Sequence, residues 1–253
     1  MATYKKRGYK PKNKAEEHEF DVQDSTTAEV FSTLDESASK TEAWVSKNQN
    51  FILGAIILVA VGILAYLGYN EFIQKPKEQS AANELYYPQQ NFDQAMTKEA
   101  NKDSLLNLAL LGSEGKYGFL DIISEYKGTK AANLASYSAG MAYLNTQNYK
   151  EAIEHLENFS SDDAVLGALA KGAIGDSFSQ LGQAEDALDY YEKAIAHNEN
   201  AYSTPKYLYK AGITAMNLGY TEKALQYFER IKADFSSANE ATNIEALIGS
   251  VKK

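Results

Sequence analysis

Apolar and polar residues follow two different patterns along the 253-residue chain. Between Phe51 and Tyr69 the sequence runs for 19 residues without a charged residue. Beyond Pro76, apolar residues instead recur every three or four positions, which is the spacing of one helical face. No stretch shows a convincing alternation of the kind expected of a half-buried strand. The pattern therefore predicts an all-α protein, in which one apolar helix precedes a series of amphipathic helices.

The apolar run has the length of a membrane span. At ~1.5 Å per residue its helix covers about 28 Å, close to the ~30 Å hydrocarbon core of a bilayer. A core helix rarely stays apolar on every face, and a cleaved signal peptide needs a short basic region and a small-residue cleavage site. Here 50 residues precede the run and bulky residues close it. We therefore predict an uncleaved transmembrane helix over residues 50–72, whose apolar positions include Phe51, Leu53, Ile56, Leu58, Val61, Leu64 and Leu67.

Positive charge predicts the orientation of this span. Its near flanks are balanced, with Lys40 and Lys47 before it and Lys75 and Lys77 after it. Further out, the first 14 residues hold six basic residues and no acidic one, namely Lys5, Lys6, Arg7, Lys10, Lys12 and Lys14. Under the positive-inside rule, we expect the N-terminus in the cytoplasm and the residues after about 75 on the other side.

Two segments precede the span. Residues 1–25 are polar, with a basic block followed by acidic residues, and are predicted to be a disordered cytoplasmic tail. The basic block is either a topology signal or a contact for anionic lipid or an RNA-rich particle. Residues 26–47 begin with a possible capping box, Thr26 and Glu29, and are predicted to form an amphipathic juxtamembrane helix. Its candidate contact residues, for the membrane surface or for a partner, are Val30, Phe31, Leu34 and Trp44.

Three segments after the span align with one another, starting at residues 135, 170 and 207. In each, an Ala follows a Gly after twelve residues, and a bulky residue follows after four more: Gly140, Ala152 and Leu156; Gly175, Ala187 and Tyr191; Gly212, Ala224 and Phe228. A small residue on one helix lets a second helix approach closely, and the bulky residue fills the seam. The pattern resembles the tetratricopeptide repeat, which implies an α-solenoid of helix pairs.

The aligned segments divide the rest of the chain. Three tetratricopeptide repeats are assigned to residues 131–235. Residues 76–130 are expected to hold a linker helix, with Pro88 as a kink or a restart, and a degenerate repeat over 105–129. Residues 236–253 are expected to form a capping helix over the last repeat, because an open solenoid end exposes apolar surface.

The concave face of the solenoid is the candidate partner groove. In this repeat class the first helix of each pair lines that face, and the alignment selects the inward positions. They are Leu134, Tyr137, Met141 and Leu144, then Leu169, Asp176, Ser179 and Gln180, then Tyr209, Ile213, Met216 and Asn217. Met and Tyr side chains make an adaptable apolar groove for a helix or an extended segment. The alternative is that residues 238–250 of the same chain fill it.

Charge and residue inventory argue against several functions. Residues 71–253 carry 17 basic and 25 acidic residues, which argues against binding nucleic acid. The absence of cysteine excludes disulfides and thiolate sites. His18, His155 and His197 lack metal-ligand spacing and are expected at the solvated surface. The glycines of "GSEGKYG" lack the preceding strand of a dinucleotide site and are interpreted as a flexible corner. We therefore expect no enzyme, no cofactor and no metal.

The order of these segments resembles a known family. A Trp-ended helix "EAWVSKNQ", a Gly-containing span and acidic repeats resemble the YfgM family of ancillary SecYEG translocon subunits. The block "GKYGFLDIISEYKGTKAANLASYSAGMAYL" is similar to a Bacteroidetes-type branch. The resemblance implies a single-pass protein of the bacterial inner membrane with a periplasmic repeat domain. Its expected partners are SecYEG, membrane lipid, secretory clients and a periplasmic chaperone such as a membrane-anchored prolyl isomerase. The alternative is a scaffold for another cell-envelope assembly or division complex.

Overall fold

A computed structural model describes residues 14–97 and 101–252, with the side chains at all of these positions except 14–29, 31–37 and 40. The chain divides into two units, Met1–Tyr69 and Asn70–Lys253. No described residue belongs to a β-strand, and a single backbone bridge joins Ser113 to Lys116. The predicted fold class, an all-α protein with a long apolar N-terminal helix and a repeat solenoid, is confirmed.

The described part of the first unit is one helix, α1 (Lys14–Tyr69). The sequence predicted segment boundaries at residue 25 and between residues 47 and 50, but the helix continues through both. Residues 14–50 contain no Gly or Pro and many Ala, Glu and Lys residues, which are strong helix formers. The helix of the apolar run therefore extends through residues 14–50, because adding residues to an existing helix avoids the unfavourable nucleation step. The basic residues at positions 5–12 lie outside the described residues.

The apolar run has the properties of a possible membrane span. Within the described residues, the helical stretch Thr41–Thr97 is the one that is long and apolar enough to cross a membrane, judged by length and composition, and its best 18-residue window has a mean hydropathy of 2.6. All seven side chains predicted for the span are exposed, from 52% for Leu53 to 79% for Phe51.

The second unit starts with a π-helical turn, Asn70–Gln74, and continues with α2 (Lys75–Thr97) and α3 (Lys102–Leu111). Pro88 is buried inside α2, so this helix does not restart at the proline. α3 packs chiefly along α2 and shares a buried cluster with it, including Ala95 and Leu106. The expected unit over 105–129 therefore does not form its own helix pair, because the partner of α3 precedes it in the chain.

The glycine-rich connection after α3 is tightly packed, which contradicts the interpretation as a flexible corner. It leads from Gly112 to α4 (Phe119–Glu125). An added Cβ on Gly112, at φ 69°, would lie 2.1 Å from the Lys116 carbonyl oxygen, and one on Gly118 would lie 2.3 Å from that of Leu110. These glycines permit a close backbone approach that no larger residue allows.

Three helix pairs follow and stack into a solenoid. They are α5 (Lys130–Asn145) with α6 (Tyr149–Glu157), α7 (Leu166–Gln180) with α8 (Ala184–His197), and α9 (Ser203–Asn217) with α10 (Thr221–Asp234). Each first helix packs on its own second helix, which packs on the next first helix. The turn inside each pair contains one left-handed residue, Gln147 at φ 61°, Gly182 at φ 74° and Gly219 at φ 78°.

The aligned triplets form the seams inside the pairs, as their spacing predicts. An added Cβ would lie 2.5 Å from Leu156 at Gly140, 2.7 Å from Tyr191 at Gly175 and 2.4 Å from Phe228 at Gly212. The bulky side chain of each second helix thus occupies the volume that a larger residue would need. Leu156, Tyr191 and Phe228 are all buried.

Hydrogen bonds from tyrosines to glutamates link the second helices to each other. The Tyr190 hydroxyl of the second repeat donates to Glu157 Oε1 of the first at 2.5 Å. The Tyr227 hydroxyl of the third repeat donates in the same way to Glu192 of the second. Burial, followed by this bond to Glu157, raises the pKa of Tyr190 to about 12. These tyrosines therefore stay protonated, as donors, over the physiological pH range.

The C-terminal segment packs against the last repeat. A short 3₁₀ turn, Asn239–Ala241, leads into α11 (Ile244–Val251), which packs mainly on α10. Ile244 and Ile248 are buried in the cluster that also contains Phe228. Their burial is consistent with the capping role predicted for residues 236–253.

Filling a seam glycine should destabilise the protein. In Gly212→Ala the new methyl group meets the buried Phe228 ring, so we expect a loss of about 1–3 kcal/mol in unfolding free energy. Gly249→Ala in α11 is the control, because its Cβ meets nothing within 4 Å and alanine is the better helix former. Urea unfolding of the detergent-solubilised protein, followed by circular dichroism, measures both. Equal stability of the two variants would contradict the seam.

Candidate functional site

A cavity of about 610 Å³ lies across the first helices of all three repeats. We call it the groove. The first helices α5, α7 and α9 contribute Leu144, Asn145, Asp176, Ser179, Gln180, Tyr209, Lys210, Ile213 and Thr214. Gln147, from the turn after α5, and Tyr149 and Tyr191, from the second helices, complete the lining. The lining combines apolar side chains, such as Leu144 and Ile213, with polar and charged ones, so a bound chain would meet both kinds of surface.

The structure brings together half of the residues predicted for the groove. Leu144, Asp176, Ser179, Gln180, Tyr209 and Ile213 line the cavity. Leu134, Tyr137 and Met141 lie earlier on α5, where the Tyr137 ring packs 5.1 Å from that of Phe159. Leu169 and Met216 pack against the main buried cluster, and Asn217 is exposed outside the lining. As binding residues, all twelve stay predictions.

The C-terminal segment leaves the cavity unfilled. α11 lies mainly against α10, and the 3₁₀ turn Asn239–Ala241 contacts α9. Among the predicted groove residues, Met216 is the one reached by a polar contact from α11, from Ser250 Oγ to Met216 Sδ at 3.9 Å. No residue from 238–250 lines the cavity.

An ion pair occupies the floor of the groove. Lys210 Nζ lies 2.5 Å and 2.7 Å from the two carboxylate oxygens of Asp176, and the Tyr191 hydroxyl donates to Asp176 Oδ1 at 2.8 Å. Each charged side chain is 30% exposed. Burial, and then the Asp176 carboxylate, raises the pKa of Tyr191 well above its ordinary value. The phenol therefore remains a donor to Asp176, whose charge is already balanced by Lys210.

Tyr191, which donates to Asp176, is one of two stacked and buried tyrosines. The Tyr191 and Tyr207 rings are stacked with centroids 6.3 Å apart. Tyr207 fits because α7 carries Gly172, where an added Cβ would lie 1.9 Å from the Tyr207 ring. The position of the ion pair thus depends on a glycine outside the aligned triplets.

Amide and hydroxyl side chains line the remaining edge of the groove. The Tyr149 hydroxyl approaches Gln180 Oε1 at 3.5 Å, and Asn145 Nδ2 donates to the Met141 carbonyl at 2.8 Å. Lys102 Nζ, from α3, donates to Asn145 Oδ1 at 2.9 Å. Asn145 is therefore held in place, whereas Gln147 and Gln180 are exposed.

Sequence reasoning missed Asn145, Gln147, Tyr149, Tyr191, Lys210 and Thr214. It took inward positions from the first helices alone, whereas Gln147 lies in a turn and Tyr149 and Tyr191 come from second helices. One signal was present in the alignment. Gln147 stands where the other repeats have glycine, at Gly182 and Gly219.

His155 and His197 are only partly exposed, whereas the sequence predicted both at the solvated surface. His155 is half-buried and stacked on Tyr143, with ring centroids 5.3 Å apart. His197 Nε2 lies 3.0 Å from the Asp163 carbonyl oxygen, at a position left open by Gly167. Helix packing brings each imidazole against a neighbouring helix or loop, which local sequence does not reveal. His18 lies among the side chains that are not described.

Asp163 caps the N-terminus of α7. Its Oδ1 accepts hydrogen bonds from the backbone N–H groups of Val165 at 2.9 Å and Leu166 at 2.7 Å. These bonds hold the pKa of Asp163 below its usual value, because they stabilise the carboxylate.

The candidate metal ligands and the predicted juxtamembrane residues are described in part. Within them, no group of three or more His, Cys, Asp or Glu side chains is arranged to hold a metal ion. Val30 and Trp44 are exposed by 57% and 61%, and the side chains of Phe31 and Leu34 lie outside those described. The four residues stay a predicted contact.

The repeat region is similar to known proteins. Residues 108–249 match the family model described as T7SS, ESX-1 secretion system protein EccA1, N-terminal domain. The TPR repeat-containing protein YpiA of Bacillus subtilis (strain 168) is 24% identical over 97 residues, which are 38% of this chain and 22% of YpiA. The chain thus spans about a fifth of the length of that curated relative.

A solved structure is also similar. It is the crystal structure of the nearly identical TPR-like repeats of a kinesin light chain from Podosopora anserina, with 13% identity and a TM-score of 0.46. The match covers 70% of this chain and 84% of the solved one.

The stability of the repeat unit should depend on His155 at mildly acidic pH. Burial lowers the pKa of His155 below 6.5, against the opposing effect of Glu154 and Glu151. The folded state therefore binds a proton less readily than the unfolded state. The stabilisation from neutral His155 is fully present above about pH 6.5 and is lost as the pH falls from there towards the folded pKa. His155→Phe keeps the stacking ring and removes the titration.

We expect the melting temperature of the wild type to fall more between pH 7.5 and 5.5 than that of the variant. Asp163 does not interfere, because its pKa is lowered from its ordinary value of 3.8, so its stabilising contribution is constant between pH 7.5 and 5.5 and is lost only below about pH 3.8. Differential scanning fluorimetry at both pH values measures the difference, and parallel declines would contradict the assignment.

Proposed function

The chain belongs to the family of the T7SS ESX-1 secretion system protein EccA1 N-terminal domain, and on that premise we propose that it is a membrane-tethered repeat scaffold that binds protein partners at a site of protein secretion. The groove carries this proposal, since it crosses all three repeats and is lined by apolar and polar side chains. Tetratricopeptide-type repeats use such surfaces to bind proteins. Secretion is proposed because the name of the matching family refers to a secretion system.

The apolar part of α1 supports the tether. A helix of this length and composition placed in the inner membrane would keep the repeat unit next to the bilayer. We propose the SecYEG translocon as the membrane partner, and emerging secretory chains or a periplasmic chaperone, such as a membrane-anchored prolyl isomerase, as groove partners. The segment order that resembles the YfgM family supports this choice. Location beside the translocon would raise the effective concentration of a weak binder.

Filling the groove should remove the partners and leave the fold intact. Gln180 is exposed and lines the cavity, so Gln180→Trp adds a large side chain without entering the core. Gln226→Trp on α10 is the matched control, because Gln226 is exposed and lies outside the groove. The tagged chain is purified from its native membrane in mild detergent, and co-purified proteins are quantified by mass spectrometry. We expect at least tenfold loss with Gln180→Trp alone.

Two outcomes would contradict the proposal separately. Recovery of no SecYEG subunit or periplasmic chaperone above background would refute the translocon assignment and favour an envelope-assembly or division scaffold. Equal recovery by Gln180→Trp and wild type would instead show that the groove is not the partner site. Thermal melting of both variants verifies that they remain folded.

The orientation is tested independently of any partner. The basic residues before α1 predict a cytoplasmic N-terminus and a periplasmic repeat unit. Protease added to intact spheroplasts should therefore digest the repeat unit and leave an epitope tag at the N-terminus protected. Permeabilised spheroplasts, in which both are accessible, are the control. A protected repeat unit would reverse the topology.

A further inference from the structure

Four lysines mark the end of the second unit that follows the apolar run. Lys75 and Lys77 lie in the first turn of α2, and Lys127 and Lys130 flank the turn between α4 and α5. We call these lysines the basic patch. We propose that the basic patch binds the anionic phospholipid headgroups of the bilayer that holds the apolar run, an inference that rests on the proposed membrane tether.

Hydrogen bonds hold the two halves of the patch together. Lys77 Nζ donates to the Lys127 carbonyl at 2.8 Å, although the two residues are 50 positions apart in sequence. Gln74 Nε2 donates to the Gly128 carbonyl at 3.2 Å. The Glu78 carboxylate accepts from the first two backbone N–H groups of α5, at 2.8 and 3.0 Å. The start of α2 and the turn before α5 therefore form one surface.

Chain connectivity brings this surface to the bilayer. The predicted span ends at residue 72, and Lys77 follows five residues later, which is about 8 Å of helix. The headgroup layer beyond the ~30 Å hydrocarbon core is roughly 5–8 Å deep on each side. Phe72 and Ile73 are exposed by 81% and 55%, as apolar side chains at the boundary of a bilayer core would be. Because the turn before α5 is bonded to Lys77, it is held close to the headgroups as well.

Two of the carboxylates in the patch are already engaged. Glu71 forms an ion pair with Lys75 at 2.5 Å, and Glu78 accepts from the N-terminus of α5, where a negative charge is stabilising. Lys127 and Lys130 are exposed, and within the described residues their ammonium groups have no hydrogen-bond or ion-pair partner. These two cations are therefore available to a ligand.

The patch remains basic within an acidic unit. Glu84 and Glu125 are the carboxylates that act on Tyr126, in the turn before α5. Three lysines without an ion-pair partner thus face two carboxylates, and Glu84 lies two turns beyond Lys77 on α2. Residues 71–253 as a whole carry eight more acidic than basic residues. An anionic bilayer repels such a unit in general and attracts it at this end.

The turn before α5 is open to a ligand. Gly128 adopts φ 86°, and an added Cβ there would meet nothing within 4 Å. Headgroup phosphates can therefore approach the backbone of the turn and reach the lysines on both sides of it.

Lipid contact at the patch leaves the groove accessible. α5 begins at Lys130, in the patch, and its last two residues, Leu144 and Asn145, line the groove. The 14 residues from Lys130 to Leu144 cover about 21 Å of helix. Binding of headgroups would therefore fix which end of α5 faces the membrane and keep the groove end free for partners.

Headgroup quenching tests the contact on the full-length chain. The chain has no cysteine, so Ser124→Cys, at an exposed position of α4 next to the patch, accepts a single fluorophore. The labelled chain is reconstituted into nanodiscs of phosphatidylcholine with a spin-labelled headgroup, with phosphatidylglycerol or without it. We expect at least twofold stronger quenching with phosphatidylglycerol, and loss of this gain at high salt. A fluorophore on Thr221→Cys, at the start of α10, is the control and should show no gain.

Charge variants separate lipid binding from folding. Lys127→Gln combined with Lys130→Gln removes both charges, while the backbone groups that bond to Lys77 and Glu78 remain. We expect this variant to lose the gain in quenching with an unchanged melting temperature. The corresponding double arginine variant should keep the gain. Lys150→Gln is the distant control, because Lys150 is exposed near the start of α6, and it should also keep the gain.

The remaining outcomes are also decisive. Equal quenching with and without phosphatidylglycerol, or an unchanged gain in the double glutamine variant, would overturn the inference. Reversal of the gain by inorganic phosphate at constant ionic strength would show a site for free phosphate and overturn the bilayer assignment. The proposed function is judged separately. A chain that fails to enter nanodiscs would refute the tether, and co-purification with Gln180→Trp tests the groove without involving the patch.

Discussion

The close approach of the two helices in each repeat is the contact on which the solenoid depends. At Gly140, Gly175 and Gly212 the first helix has no side chain, and a bulky residue of the second helix fills that space. This contact brings each pair into register, and stacking of the pairs then places the three first helices side by side. The groove exists because these helices present their remaining faces to one cavity. An error in one seam would therefore change the spacing of groups that belong to different repeats.

The ion pair of the groove also depends on residues outside the aligned triplets. Gly172 admits Tyr207, the Tyr191 and Tyr207 rings stack, and the Tyr191 hydroxyl holds Asp176 beside Lys210. Such a network is costly to disturb, since removal of one partner leaves a polar group without its hydrogen bond in a partly buried place. The second helices are joined differently, by tyrosine–glutamate bonds between successive repeats. The acidic residues of these helices thus serve in part as acceptors that hold the repeats together.

The contrast between the two units suggests a division of labour. The described part of the first unit is a single helix with a stretch long and apolar enough to cross a membrane. The second unit is a stack of helices in which α11 packs mainly on α10. A protein whose proposed function is to bind rather than to catalyse benefits from a fixed location, because proximity compensates for modest affinity.

The sequence by itself determined the helical class, the apolar helix and the seams, because these depend on local periodicity and on pairs of residues at fixed spacing. It also selected half of the residues that line the groove, through the first-helix positions. It did not reveal that α3 pairs backwards with α2, that the glycines after α3 pack tightly, or that His155 is half-buried against Tyr143. Lys210, Tyr149 and Gln147 join the groove only through helix stacking and turn geometry. Lys210 meets Asp176 across 34 positions of sequence, and Tyr149 approaches Gln180 across 31, so tertiary packing decided these contacts.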